Sequence, residues 1–103
     1  MELIIDDYTY LYEVEKMPSK YYLEPYDAKS FYKKATVYEK GDIKVLVSYR
    51  TPVVMIVNGI VIKLQENTRD TLSHTTMRHI NAFLRRNEMK TTCKKEWRSV
   101  PVG

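Results

Sequence analysis

Between Ile43 and Leu64 the apolar positions follow two rhythms, and each predicts an element. In "IKVLVSY" (43–49), Ile43, Val45, Val47 and Tyr49 fall on one face and Lys44, Leu46 and Ser48 on the other. That period of two marks a half-buried strand. "VVMIV" (53–57) and "IVIKL" (60–64) are continuous apolar runs joined by Asn58-Gly59. Both linking residues tolerate positive φ, so the pair predicts a type I′ hairpin. Pro52 cannot donate to a ladder and marks a turn or a strand start. Upstream, "SFYKKATVYE" (30–39) is rich in β-branched and aromatic residues and reads as a strand, with Gly41-Asp42 as a tight turn after it. The stretch 29–64 is therefore expected to be an antiparallel meander.

After the polar stretch "QENTRDTL" (65–72), expected to be a loop, the period changes. Thr76, Ile80, Phe83 and Leu84, with Met77 beside them, recur at helical spacing. Ser73 is a natural N-cap and Thr75 a competing one. Arg78 and Arg85 share the solvated side, and Arg85 and Arg86 suit the negative end of the helix dipole. The predicted helix covers 73–89. At the N-terminus, Tyr8, Tyr10 and Tyr12 alternate within "ELIIDDYTYLYEVE" (2–15), which favours a strand, although a helical register stays open. Pro18 and Pro25 bracket "SKYYLEP", expected to be irregular. The fold class is α+β: a meander of three to five strands packed against one C-terminal amphipathic helix. All 103 residues form one domain, with an acidic tyrosine-rich segment (1–28), the meander (29–64), the helix (73–89) and a basic tail (90–103).

Charge is unevenly distributed. Residues 1–28 carry seven acids and two lysines, whereas 69–103 carry eight bases and three acids, within a net charge of +4. An acidic front and a basic back suit a charged partner without naming one. No run approaches the ~18 apolar residues of a membrane span, and the acidic N-terminus lacks the order of a signal peptide, so the expectation is a cytoplasmic protein with no membrane partner. The lone Cys93 allows no intramolecular disulfide and reads as a free thiol in a mobile tail.

The segment "SHTTMRHINAFLRR" (73–86) concentrates the candidate chemistry. Its two histidines, His74 and His79, are five apart. On a helix they diverge by about 140°, unlike the i, i+4 pair of a zinc site, and no metal is expected. Ser73, Thr75 and Thr76 near a histidine suggest a nucleophile and base. Only Asp70 is close in sequence as an orienting acid, no G-x-S-x-G turn exists, and capping accounts for the hydroxyls, so no enzyme is expected. The three glycines form no phosphate loop, and no cofactor is expected. The remaining material is cationic and aromatic: Arg78, Arg85, Arg86, Lys90, Lys94, Lys95 and Trp97, with Tyr8, Tyr10, Tyr12, Glu13 and Glu15 at the acidic end. Such residues serve protein hot spots or stack on and neutralise single-stranded nucleic acid. Equally, the tyrosines can be half-buried strand residues and the charges a solvated face.

"SYRTPVVMIVNGIVIKL" followed by "SHTTMRHINAFLRR" resembles a domain family of unknown function from phages and mobile elements of Gram-positive bacteria. The matching residues are Ser48, Tyr49, Thr51, Pro52 and Val53, then Ser73, Thr75, Thr76, Arg78, His79, Ile80, Asn81, Phe83 and Leu84. The similarity covers roughly 29–86. It implies a structural lock, in which His79 or Asn81 bonds the backbone of the S-Y-x-T-P turn, with Ser73 and Thr76 alongside. The phage setting implies a stoichiometric inhibitor of a host defence protein, such as an anti-CRISPR protein that blocks a CRISPR effector nuclease in the host cytosol. The alternative is a nucleic-acid-binding accessory protein using the C-terminal basic cluster. Sheet edges leave a homodimer open.

Overall fold

The computed structural model describes residues 14–24, 33–64 and 73–100. Within them, strands β1 (Ser19–Tyr22), β2 (Ala35–Lys40), β3 (Ile43–Ser48), β4 (Thr51–Val57) and β5 (Ile60–Lys63) are followed by helices α1 (His74–Arg86) and α2 (Lys94–Arg98). The strands form one sheet in the order β1-β2-β3-β4-β5, each antiparallel to the next. This is the α+β meander with a C-terminal helix, extended by β1 and by the short second helix.

The tight turns follow from residues that accept positive φ. Gly41 sits at φ +57° as the first central residue between β2 and β3, where a type II′ turn needs glycine. Asn58 and Gly59 sit at +51° and +78°, the pair of positive values that a type I′ turn requires. Tyr49 adopts φ +60° in the turn between β3 and β4. It therefore leaves the strand and is 52% exposed, instead of continuing the Ile43–Val45–Val47 face.

The sheet is covered on both faces, so β3 is not the half-buried strand its alternation predicts. Leu46 joins Ala35, Val37, Val54, Ile56, Ile80, Phe83, Leu84 and Trp97 in one core. Val45 and Val47 join Val14, Met55 and Leu64 in a second core on the opposite face. Alternation was correct, but polar Lys44 and Ser48 hid the burial of their face. In β4 the ladder slips: Leu46 pairs with Val54 but Val47 pairs with Pro52, leaving Val53 as an extra residue. Such a bulge breaks the period of two. Val53 and Val54 consequently enter the same core, and Pro52 is accommodated where the ladder is already irregular.

Three further boundaries differ from expectation. β1 is a strand where proline bracketing suggested irregular chain. Ser19, Lys20 and Tyr22 are exposed and only Tyr21 is half-buried, so the segment pairs at an edge without an apolar rhythm. β2 begins at Ala35, because Lys33 lies at φ +62° and an extended ladder cannot pass through that conformation. At the N-terminal side, Val14 and Glu15 are helical and do not extend a strand; a turn follows at Lys16, with the Met17 N–H donating to the Val14 carbonyl at 3.0 Å. Residues 2–13, 30–32 and 65–72 of the predicted strands and loop lie outside the described residues.

Helix α1 is built as its sequence predicts at the start and ends earlier. The Ser73 hydroxyl accepts from the Thr76 N–H at 3.0 Å, so Ser73 is the cap and Thr75 lies inside the helix. At the other end Glu88 takes φ +59°. Its N–H donates to the Arg85 carbonyl, and the Met89 N–H donates to the Leu84 carbonyl at 2.8 Å. These two bonds make a Schellman motif, which stops the helix at Arg86 and not at residue 89. Met89 packs against the core that contains Leu84, the apolar contact that accompanies the motif.

Candidate functional site

The hydroxyl and imidazole groups of the SHTTMRH segment converge on Ser48 of β3. His79 Nδ1 lies 2.7 Å from the Ser48 hydroxyl, and the Thr76 hydroxyl lies 3.4 Å from the same oxygen. The Ser73 hydroxyl donates to Thr76 Oγ1 at 3.1 Å while capping the helix. The Tyr49 ring lies against the imidazole, 5.7 Å between centroids. The expected lock between helix and S-Y-x-T-P turn thus exists, but it runs through the Ser48 side chain and not through the backbone of the turn. Asn81 takes no part in it.

Ser48 and His79 are within the reach of a nucleophile and its base. Both are sealed between α1 and the sheet, however, with Ser48 3% exposed and His79 not exposed at all. Burial disfavours the charged imidazolium, and nearby Arg78 adds repulsion, so the His79 pKa falls from the usual 6.5 to about 4. The ring is neutral at physiological pH and serves as a buried hydrogen-bonding group. His74 is exposed on the helix while His79 is buried, the divergence expected of a five-residue spacing.

A second set of bonds docks the segment that follows α1. Asn81 donates from Nδ2 to the Thr92 carbonyl and accepts from the Thr92 N–H, both at 2.8 Å. Lys63, at the end of β5, is 2% exposed. Its ammonium donates to the Trp97 carbonyl at 3.2 Å, which also accepts from the Val100 N–H, and to the Val100 carbonyl at 2.8 Å just past the end of the short helix α2. Trp97 is 4% exposed and belongs to the core beneath α1. It is therefore a core residue and not the partner-binding or base-stacking surface that its basic neighbours suggested. Residues 90–100 are a docked part of the domain, not a mobile tail, and Cys93 is exposed just before α2.

The other predicted contact residues are scattered. Arg86 lies over the Tyr21 ring, 4.4 Å from its centroid, tying α1 to β1. Tyr21 ionises above its usual range, chiefly because it is partly buried; Arg86 works against that shift and Glu39 adds to it. Arg85, Lys90 and Lys95 are exposed, Arg78 and Lys94 half-buried, and Glu15 exposed near the second core. Tyr8, Tyr10, Tyr12 and Glu13 lie outside the described residues. Sequence reasoning passed over Tyr22, which is 44% exposed with the Lys20 and Lys33 ammonium groups 5.9 and 5.5 Å from its ring centroid. It also passed over Lys63, whose signal was a lone lysine inside the apolar run "IVIKL".

Between the β4–β5 turn, the end of α1 and α2 lies an open groove of about 320 Å³. Val61, Leu84, Met89, Trp97 and Val100 give it an apolar lining, and Lys90 adds a cation.

Residues 21–99 match the model of a family of unknown function, DUF8033. The chain belongs to that family. No curated protein and no solved structure matches it. The DUF8033 match begins in β1 and runs through α2, so the shared domain is larger than the 29–86 stretch carried by the motifs. It includes Arg86 with its partner Tyr21, Asn81 with Thr92, and Lys63 with Trp97. The docked C-terminal segment and the edge strand are thus parts of the DUF8033 domain itself. Among the described residues no helix is long and apolar enough to cross a membrane.

Proposed function

We propose that this DUF8033 domain acts by stoichiometric association with another protein. One observation carries the reading. The hydroxyl–imidazole cluster of Ser48, Thr76 and His79 is buried beneath α1, whereas Tyr22, Tyr49, Arg85, Lys90 and Lys95, residues of types that serve association, are exposed. The resemblance to phage and mobile-element proteins makes a host defence protein the target class, with a CRISPR effector nuclease as a specific case. Such a nuclease holds nucleic acid in a cationic channel, and the acidic 1–28 segment, of which Glu15 is exposed, has the charge to occupy one. The test is capture by the tagged full chain from bacterial lysate, with and without nuclease and at two salt concentrations. A stoichiometric protein that survives both treatments is the expected result. Loss of all captured protein on nuclease or salt treatment overturns the reading.

A second reading rests on Tyr22. An exposed ring flanked by Lys20 and Lys33 is the arrangement that stacks on unpaired bases while cations meet phosphate. It moves the nucleic-acid alternative away from the C-terminal cluster, where Trp97 is buried. Binding of a fluorescent oligonucleotide that falls steeply with salt and is lost in Tyr22→Ala supports it; binding unchanged by that substitution removes it.

A further inference from the structure

We propose that one face of the β1–β2 ribbon binds a short single-stranded nucleic-acid segment, with a base stacked on Tyr22 and phosphates met by Lys33, Lys20 and Lys40. The inference rests on the nucleic-acid reading of Tyr22 and gives that reading a path, a length and a charge count.

The ladder fixes which side chains share the face. Lys20 stands opposite Tyr38, and Tyr22 opposite Thr36. Opposite residues of an antiparallel pair project to the same side, as do residues two apart along a strand. Lys20, Tyr22, Tyr38 and Lys40 therefore lie on one face. Lys33 joins them, since its ammonium lies 5.5 Å from the Tyr22 ring centroid. The acid within the ribbon is turned away: Glu39 alternates to the other face, where it interacts with Tyr21.

Each group suits its part. Lys20, Lys33 and Lys40 are exposed, and Tyr22 is 44% exposed. The two ammonium groups beside the Tyr22 ring stand 5.5 and 5.9 Å from its centroid, near the ~6 Å limit of a cation–π contact, so a base that takes the ring face displaces little. Tyr38 packs its ring against the second core, and its hydroxyl, bonded to none of the described residues, reaches the surface beside Lys20.

Cations alternating with an accessible ring along a groove or sheet face let a base stack while the backbone is neutralised. A duplex keeps its bases inside, so only an unpaired strand can use Tyr22. From the level of Tyr22 to Lys40 the path runs four residues along β2, about 14 Å at ~3.4 Å per residue. Acids bound it. Glu24 follows β1 and Asp42 follows β2. Tyr38 ionises above its usual range, chiefly through partial burial and further through Glu15, which places Glu15 near that side chain. The site is thus confined to the phosphates that its three lysines meet.

The test is the fluorescence anisotropy of labelled oligothymidylate and oligouridylate octamers with the full chain over a range of salt. Three lysines meeting three phosphates give log K against log salt a slope of about −2. Tyr22→Ala should weaken binding at least about fivefold, the lower worth of one stacked base, while Tyr22→Phe keeps it. Lys40→Gln should flatten the slope by about 0.7, the share of one phosphate. Lys95→Gln, at an exposed position on α2, should leave it unchanged. All three positions are exposed, and circular dichroism checks that the variants keep the fold. Stronger binding of one octamer names the sugar that the site takes. If Tyr22→Ala abolishes binding but Lys40→Gln leaves the slope unchanged, the Tyr22 reading stands and the path falls. Equal flattening by Lys40→Gln and Lys95→Gln also overturns the path, since the charge then acts diffusely. Displacement of the octamers by polyglutamate as readily as by unlabelled octamer makes an acidic protein segment the occupant and overturns the proposal. No binding of either octamer, or binding that Tyr22→Ala leaves intact, removes both the path and the reading beneath it.

Discussion

His79 Nδ1 meets the Ser48 hydroxyl at 2.7 Å in a space closed to solvent, so the imidazole that joins α1 to β3 must stay neutral for the domain to hold. Its pKa is about 4 in the fold against 6.5 for a free histidine. Between those values the unfolded chain binds a proton that the folded chain refuses. Stability from the neutral ring is therefore complete above pH 6.5 and is lost as pH falls from about 6.5 towards about 4. The difference corresponds to about 3 kcal/mol. Urea unfolding at steps between pH 7 and pH 5 should show this slope in the parent, and a weaker slope in His79→Gln. Parallel slopes in the two proteins would remove His79 from the account.

Glu88 holds a left-handed conformation that costs a side-chain-bearing residue about 1 kcal/mol. The Schellman geometry at this position favours glycine. Glu88→Gly should raise the urea midpoint, with a gain of roughly 0.5–1 kcal/mol and no change in the slope m. An unchanged or lower midpoint would mean that the Glu88 side chain supplies an offsetting contact.

Lys63→Met keeps the apolar stem and removes the ammonium that serves the Trp97 and Val100 carbonyls. The Trp97 carbonyl keeps the Val100 N–H as its donor, so the loss falls mainly on the half-buried Val100 carbonyl, at a cost of roughly 1–3 kcal/mol. Trp97 is the sole tryptophan, so its emission reports directly on α2. A red shift in Lys63→Met under native conditions, with far-ultraviolet dichroism of the sheet retained, is the expected result. Emission identical to the parent would show that the apolar contacts of Trp97 hold α2 without the lysine.

Asn81 serves both backbone groups of Thr92, as acceptor and as donor. Asn81→Asp keeps the acceptor and loses the donor, whereas Asn81→Ala loses both. Stability should fall in the order parent, Asp, Ala, by roughly 1–3 kcal/mol at the last step. Equal stability of all three variants in urea would assign the docking of residues 90–93 to other contacts.

The fold was legible where local chemistry dominates. The Asn58-Gly59 turn needs positive φ twice, and the Ser73 cap with its apolar stripe depends only on neighbours in sequence. What escaped depends on distant groups. β1 is an edge whose residues are mostly exposed, so it carries no burial rhythm. The bulge at Val53 inserts one residue into an apolar stretch in which Pro52 to Ile56 are all buried and no polar position marks the slip. The resemblance implied a bond from His79 or Asn81 to the S-Y-x-T-P turn, but the actual partner of His79, the Ser48 hydroxyl, lies 31 positions away and looked like the polar side of a strand. Trp97 was misjudged because its basic neighbours dominate the composition, while its burial is set by Lys63 and the core beneath α1.

The docking of α2 has a consequence for how the domain opens. No strand ladder holds residues 92–100; side chains of Asn81 and Lys63 hold their backbone, and Trp97 plugs the core. Release of this segment breaks those attachments and leaves every β-ladder bond in place. Its amides should exchange with deuterium through a smaller fluctuation than the sheet requires, as a cooperative unit of their own. The domain thus has two levels of opening, and the shallower one exposes the wall of the groove along β5.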